Sequence, residues 1–236
     1  MIKDTEFYNK ESGQYSSKRY PPVAQTYVQF FFKRRLDVLL KLLSKRYAGR
    51  SGMNLLDVGC ADGIVVRGIE ADLGGVFSQM IGIDIAPDMI AAAQKFNSSP
   101  NISYFIRGQE PSTMTYDAIV ETGVANYTDF DAELKYADKA LKPGGYYFLS
   151  IAGKGSLNDR FGRGVGYDNF LSYKEYESRI SSKFVIEDAA AVGLFLPIVW
   201  MIPPLARLIQ PALEAIFSIA SGLFHEKIYV LKKKAV

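Results

Sequence analysis

The sequence predicts an α/β domain on a seven-stranded, mostly parallel sheet with helices on both faces. Short apolar runs alternate with stretches of helical period from about residue 53 onward. The first run, Asn54-Leu55-Leu56-Asp57-Val58, breaks into Gly59-Cys60-Ala61-Asp62-Gly63 where the pattern turns helical. The second ends in an acid, Asp84, directly before Ala86-Pro87 opens another helix. A strand, a glycine turn and then an acid at the next strand's tip describe a ligand crevice at the carboxyl edge of an open sheet.

Composition narrows the function classes. Of 236 residues, 48% are apolar and 22% charged, ordinary values for a globular chain, and the length suits one large α/β domain. A net charge of +3 gives no reason to expect nucleic acid. With one cysteine, Cys60, and one histidine, His225, neither an intrachain disulfide nor a zinc-type cluster is expected, and no metal. The charged start, Met1-Ile2-Lys3-Asp4, lacks the apolar core of a signal peptide, so a cytoplasmic location is expected.

In order, residues 1–47 read as an N-terminal arm and helix, 53–151 as a cofactor-binding half and 152–236 as an acceptor-side half. Met1 to Tyr20 has no sustained period and reads as an irregular arm. Pro21-Pro22 opens a helix to Arg46, with Val23, Tyr27, Phe31, Leu39 and Leu43 on its apolar side and Lys33, Arg34, Arg35, Lys41 and Lys45 on a solvated face. Ile64–Leu73 is a helix stopped by Gly74-Gly75, Met80–Ile85 a strand, and Met89–Phe96 the body of the next helix. Strands follow at Ile102–Ile106 and Tyr116–Val120, a helix at Asp131–Leu141, and a tight turn at Lys142-Pro143-Gly144-Gly145 before the strand Tyr146–Ile151.

Ala152 to Phe170 is a glycine-laden loop carrying Asp159, Arg160, Arg163 and Asp168, either an acceptor lid or a surface loop. A helix at Leu171–Ser182 and a strand at Phe184–Asp188 come next. Ala189 to Ala206 is then uncharged and long enough to raise the question of a membrane span, against which Pro197, Pro203 and Pro204 argue. An apolar insertion between the last two strands fits better, with a helix over about Leu205–Ala220 and a closing strand at Lys227–Leu231. Its apolar surface over 189–224 suits core packing, a greasy acceptor, a membrane surface or self-association.

Asp57, Gly59 and Gly63 after the first strand, Asp84 after the second, Tyr116-Asp117 in the fourth and Leu141-Lys142-Pro143-Gly144-Gly145 before the fifth together resemble the class I S-adenosylmethionine-dependent methyltransferases. The resemblance spans about Leu55 to Leu231 and implies a Rossmann-like fold whose last strand is antiparallel, S-adenosylmethionine as cofactor and a small-molecule acceptor, apolar, lipid-linked or glycosylated. By that likeness Asp57, Gly59, Cys60, Ala61 and Gly63 form the first cofactor motif, Asp84 holds the ribose, and Ile85 and Met89 pack on adenine. Gly108, Gln109 and Glu110 stand where the family commonly has Gly-Asp, so Gln109 or Glu110 would take the adenine amino group. Glu121, Thr122 and Gly123 would lie under the methionine part. Tyr20, Tyr127, Arg160 and Tyr167 are acceptor-side candidates; in the family an N-terminal segment often folds over the cofactor, which singles out Tyr15, Arg19 and Tyr20, the aromatic faces among them suiting a sulfonium. Asn126-Tyr127 replace the histidines many relatives carry, which leaves the general base unassigned. Two other readings remain: a non-catalytic cofactor-binding or scaffolding protein, and an NAD-dependent oxidoreductase. The latter is disfavoured because Ala61 and Ile64 occupy two of the glycine positions such a site wants.

Overall fold

In the computed structural model, which describes residues 5–161 and 167–234, the alternation of strand side chains between the two faces of the sheet sets the architecture. Adjacent residues of the first strand, β1 (Met53–Val58), face opposite ways: Leu55 joins the cluster on one side of the sheet, Leu56 and Val58 that on the other. Each cluster needs a helical cover.

The chain enters through short helices α1 (Thr5–Glu11) and α2 (Tyr15–Arg19), so the arm read as irregular is helical among its described residues. Helix α3 (Tyr27–Tyr47) begins later than Pro21-Pro22 suggested, because the Thr26 hydroxyl caps it by accepting from the Gln29 amide at 3.3 Å. After β1 come α4 (Ile64–Leu73), β2 (Phe77–Asp84), α5 (Pro87–Phe96), β3 (Ile102–Ile106), β4 (Tyr116–Thr122), α6 (Phe130–Ala140) and β5 (Leu141–Ala152). The Lys142-Pro143-Gly144-Gly145 segment is not a separate turn. Helix α6 passes straight into β5, and the stretch is taken up as a shift in the pairing with β4, Gly144 lying at φ +78°.

Short α7 (Leu157–Arg160) and α8 (Tyr173–Ile180) lead to β6 (Phe184–Val192), α9 (Pro203–Phe217) and β7 (Glu226–Lys233). Strand β6 extends to Val192 because Asp188 to Val192 continue pairing with β7 past a bulge. No helix among the described residues is long and apolar enough to cross a membrane.

The sheet order is β3-β2-β1-β4-β5-β7-β6, parallel from β3 to β5, with β7 antiparallel to both neighbours. Helices α3, α4 and α5 cover one face through Leu39, Leu43, Val66, Ile69 and Ile90; α6 and α8 cover the other through Leu134, Ala137, Tyr176 and Ile180. The strand order reverses between β1 and β4, and the crevice opens at their carboxyl ends.

Helix α3 is therefore part of the core. Leu43 is fully buried in it, and Leu43→Ala should cost about 2–5 kcal/mol in urea unfolding. A loss near zero would mean that α3 is not docked as described.

Candidate functional site

The site begins where β1 runs out. Gly59 lies at φ +70°, and a Cβ there would strike the Val124 side chain at 2.1 Å, so the turn needs a bare backbone. The amides of Gly59 and Cys60 donate to the Ile83 carbonyl at 2.8 and 3.0 Å, fastening the turn to β2. Ala61 holds a left-handed φ of +49°, uncommon for a residue with a side chain. Its amide donates to Asp84 Oδ2 at 2.9 Å, while the Ala86 amide donates to Oδ1 at 2.9 Å. Asp84 thus ties both turns together and keeps a further acceptor direction on each oxygen.

Asp57 lies buried, with Oδ2 making no hydrogen bond among the described residues. Burial, reinforced by the charge of Asp84 and opposed by Arg35, pushes its carboxyl up to about 8. Arg35 comes from α3 and is buried too, although the sequence placed it on a solvated face. Its Nη1 lies 3.4 Å from both carboxylate oxygens of Glu226, and its guanidinium sits 4.7 Å from the centre of the Phe32 ring. It also closes on Gly123, at φ +71°, where a Cβ would come within 2.8 Å of Nη1.

Two adjoining cavities occupy the crevice. The smaller, about 110 Å³, is lined by Gly59, Ala61, Asp84, Ile85, Arg107, Val124 and Thr128. The larger, about 500 Å³, is walled by Tyr27, Phe31, Phe32, Arg35, Asn158, Tyr167, His225 and Glu226. Tyr8, Tyr15, Thr122, Gly123 and Tyr127 line both. The arm supplies the first two. It is pinned there by Asp62 Oδ2, which accepts from the Ser16 amide at 3.0 Å and its hydroxyl at 2.5 Å, and by the Asp88 amide donating to Asn9 Oδ1 at 3.2 Å.

His225 stands beside the Tyr167 hydroxyl, with Nε2 at 3.0 Å. Burial lowers its pKa from the usual value, so the ring is neutral near pH 7. Strand register places it: Ala152, the last residue of β5, pairs with Glu226, and His225 comes just before.

Of the residues expected at the site, Gly59, Ala61, Asp84, Ile85, Thr122, Gly123, Tyr127 and Tyr167 line the cavities. Cys60 and Gly63 lie in the turn behind, and Met89 packs with Ala61 and Ala86 against Tyr8 and Tyr15. Others are engaged elsewhere. Glu110 accepts from the Gly108 amide at 2.6 Å and the Tyr136 hydroxyl at 2.9 Å, and Gln109 is exposed. Arg107 faces the smaller cavity instead, gripped by both Glu133 oxygens at 2.9 and 2.8 Å. Glu121 points into the interior, where it accepts from the Tyr147 hydroxyl at 2.6 Å and burial pushes it up to about 8. Tyr20 packs edge-on against Phe32, and Arg160 is exposed with Nε donating to the Gly155 carbonyl at 3.1 Å. Arg163 falls outside the described residues.

Tyr8, Arg35, Arg107, His225 and Glu226 were not foreseen as site residues. For Arg35 a signal existed. It interrupts the apolar stripe Phe31, Leu39 and Leu43 at four-residue spacing, so a cation was being carried inward.

Known proteins share the fold. The methyltransferase domain family matches residues 27–181. The human mitochondrial ubiquinone biosynthesis O-methyltransferase is 30% identical over 138 residues, 53% of this chain and 36% of that protein. The malonyl-(acyl-carrier protein) O-methyltransferase of Bacillus anthracis is 28% identical over 142 residues, 58% of this chain and 49% of that one. The chain thus matches only about a third to a half of these relatives' lengths. Among solved structures, the magnesium protoporphyrin IX methyltransferase of Synechocystis with bound S-adenosylmethionine superposes with a TM-score of 0.67 at 11% identity, covering 98% of this chain and 95% of that one. The cyclase SpnF superposes at 0.65 with 18% identity over 98% and 95%, so the fold alone does not dictate the reaction. The family match, spanning well over half the chain on a sheet of this order, makes the chain a member of the class I S-adenosylmethionine-dependent methyltransferase family.

Proposed function

We propose that the chain methylates a hydroxyl on a small acceptor with a flat, apolar body, using S-adenosylmethionine held across the glycine turn. The observation that carries the acceptor reading is the aromatic wall of the larger cavity, Tyr8, Tyr15, Tyr27, Phe31, Phe32, Tyr127 and Tyr167, with a neutral imidazole set into it. The two O-methyltransferases that the chain resembles support oxygen as the atom methylated.

The residues present fit the cofactor. A buried carboxylate oxygen lacking a hydrogen bond, Asp57 Oδ2, suits an ammonium group, and the neighbouring Arg35 suits a carboxylate. Asp84 has acceptor directions to spare for ribose hydroxyls, and Gly59 leaves the backbone bare beneath. When bound, S-adenosylmethionine supplies an electrophilic methyl group on a sulfonium. The protein's share is then alignment, exclusion of water and removal of the acceptor's proton. Tyr8 and Tyr15 line both cavities, and since the Arg19 guanidinium already lies 4.1 Å from the centre of the Tyr15 ring, the Tyr8 ring is the one offered to a sulfonium. In the tautomer with Nε2 bare, His225 accepts from the Tyr167 hydroxyl, so a proton that the Tyr167 oxygen takes from a hydroxyl in the cavity is balanced by its own passing to the imidazole.

Two measurements test this reading. Asp84→Ala should bind S-adenosylhomocysteine roughly ten- to a hundredfold more weakly by calorimetry, the equivalent of one or two charge-assisted hydrogen bonds, with an unchanged circular dichroism spectrum. Equal affinity in the variant would put the ribose elsewhere. Second, release of S-adenosylhomocysteine should be followed with a panel of catechols and other phenols set against amines and carboxylic acids. Turnover should appear with the phenols, and His225→Gln should lower kcat by about 10²- to 10⁴-fold without moving S-adenosylhomocysteine affinity. Turnover with amines alone, or an unimpaired His225→Gln enzyme, would contradict the assignment; binding without turnover of any acceptor would favour a non-catalytic cofactor-binding role.

A further inference from the structure

The insertion between β6 and β7 has its polarity reversed. Helix α9 buries Ala206, Gln210 and Glu214, a stripe at four-residue spacing, and turns Leu205, Leu208 and Ile216 outward. Buried polar bonds fix that orientation. Gln210 Nε2 donates to the Leu194 carbonyl at 2.5 Å, Trp200 Nε1 donates to Gln210 Oε1 at 3.2 Å, and Arg34 Nε donates to Glu214 Oε2 at 3.0 Å. Rotating the helix to hide its leucines would strip these groups of partners inside the protein. Leu208 on the helix is 76% exposed, and the flanking turns add Ile198 and Ile219, 83% and 96% exposed. Single exposed leucines are ordinary, but several large apolar side chains that the fold holds outward on one helix and its flanking turns make a contact surface.

Charge indicates the partner. Between residues 189 and 224 the ionisable side chains are Arg207 and Glu214, and Glu214 is spent on Arg34. Where α9 meets α3, a groove beside Val23 and Pro211 carries Lys33 and Arg207 against one carboxylate, Asp37. Lys33 and Arg207 donate to the backbone carbonyls of Pro22 and Ala24, at 2.9 and 2.7 Å, and neither meets a carboxylate in an ion pair among the described residues. A second copy docked about a two-fold axis would bring this basic rim against itself. An anionic bilayer would complement it while taking up the apolar side chains.

We propose that the outer face of α9 and its flanking turns seats the chain on an anionic lipid surface. This goes beyond the acceptor reading and does not depend on it. The surface also backs on the larger cavity, since the Trp200 ring packs on Phe30 at 5.3 Å and on Tyr27, a cavity wall, at 6.0 Å.

The test is flotation of the full chain with vesicles of phosphatidylcholine alone and of equal parts phosphatidylcholine and phosphatidylglycerol, with the emission of Trp200, the sole tryptophan, as a second readout. The protein should float with the phosphatidylglycerol vesicles and its emission should shift to the blue. Leu208→Glu combined with Ile216→Glu should lower the partition by about tenfold or more, and Lys33→Gln with Arg207→Gln should remove the preference for the anionic vesicles. Unchanged S-adenosylhomocysteine affinity would show that these variants remain folded. Equal flotation of wild type and the glutamate variant, or none by either, would overturn the proposal. So would a wild-type dimer in sedimentation that the glutamate variant converts to monomer, which would assign the face to self-association.

Discussion

Asp57, Asp84 and Glu226 are buried at the crevice, and the buried guanidinium of Arg35 is placed to compensate Asp57 and Glu226. Removing carboxylates from water is costly, and a chain that does so must supply either a cation or a proton. Here it supplies both. Arg35 faces Glu226, backbone amides serve Asp84, and Asp57 is left to burial and to the repulsion of its neighbour, which favours its protonated form. The rest follows from keeping that arrangement in place. Helix α3 must lie across the sheet to deliver Arg35. Gly123 must lack a side chain to admit it, and the antiparallel β7 must begin at β5's carboxyl tip to present Glu226.

Seen this way, the fold was largely legible in the sequence because strands and helices of an open sheet are written in short-range periodicity. The runs at Ile64–Leu73 and Ile102–Ile106 match the observed elements end to end. Where reading failed, long-range contacts decided. Strand β6 runs on to Val192 because β7 is there to pair with it, although Ala189 to Ala191 carry no strand signal of their own. The arm is helical because Asp62 and the Asp88 amide, far along the chain, hold Ser16 and Asn9. Neither constraint is visible in a local window.

The site divides along the same line. Gly59, Asp84 and Gly123 announce themselves through strand-to-helix punctuation. Glu110 does not, since whether it turns toward the crevice or toward Tyr136 depends on a helix twenty-odd residues away. His225 illustrates the limit most sharply: one histidine before the last strand means little until the register places it beside Tyr167. Helix α9 shows the reverse case. Its apolar composition was plain, yet the side facing outward became known only with the partners of Gln210 and Glu214.

The central claim is that Asp57 is kept protonated until a cation arrives. Calorimetric titration with S-adenosylhomocysteine at pH 7, repeated in buffers of different ionisation enthalpy, measures protons exchanged on binding. With the carboxyl raised to about 8, the account predicts release of about one proton, abolished in Asp57→Asn. Binding with no proton released, or the same release from the Asn variant, would contradict it.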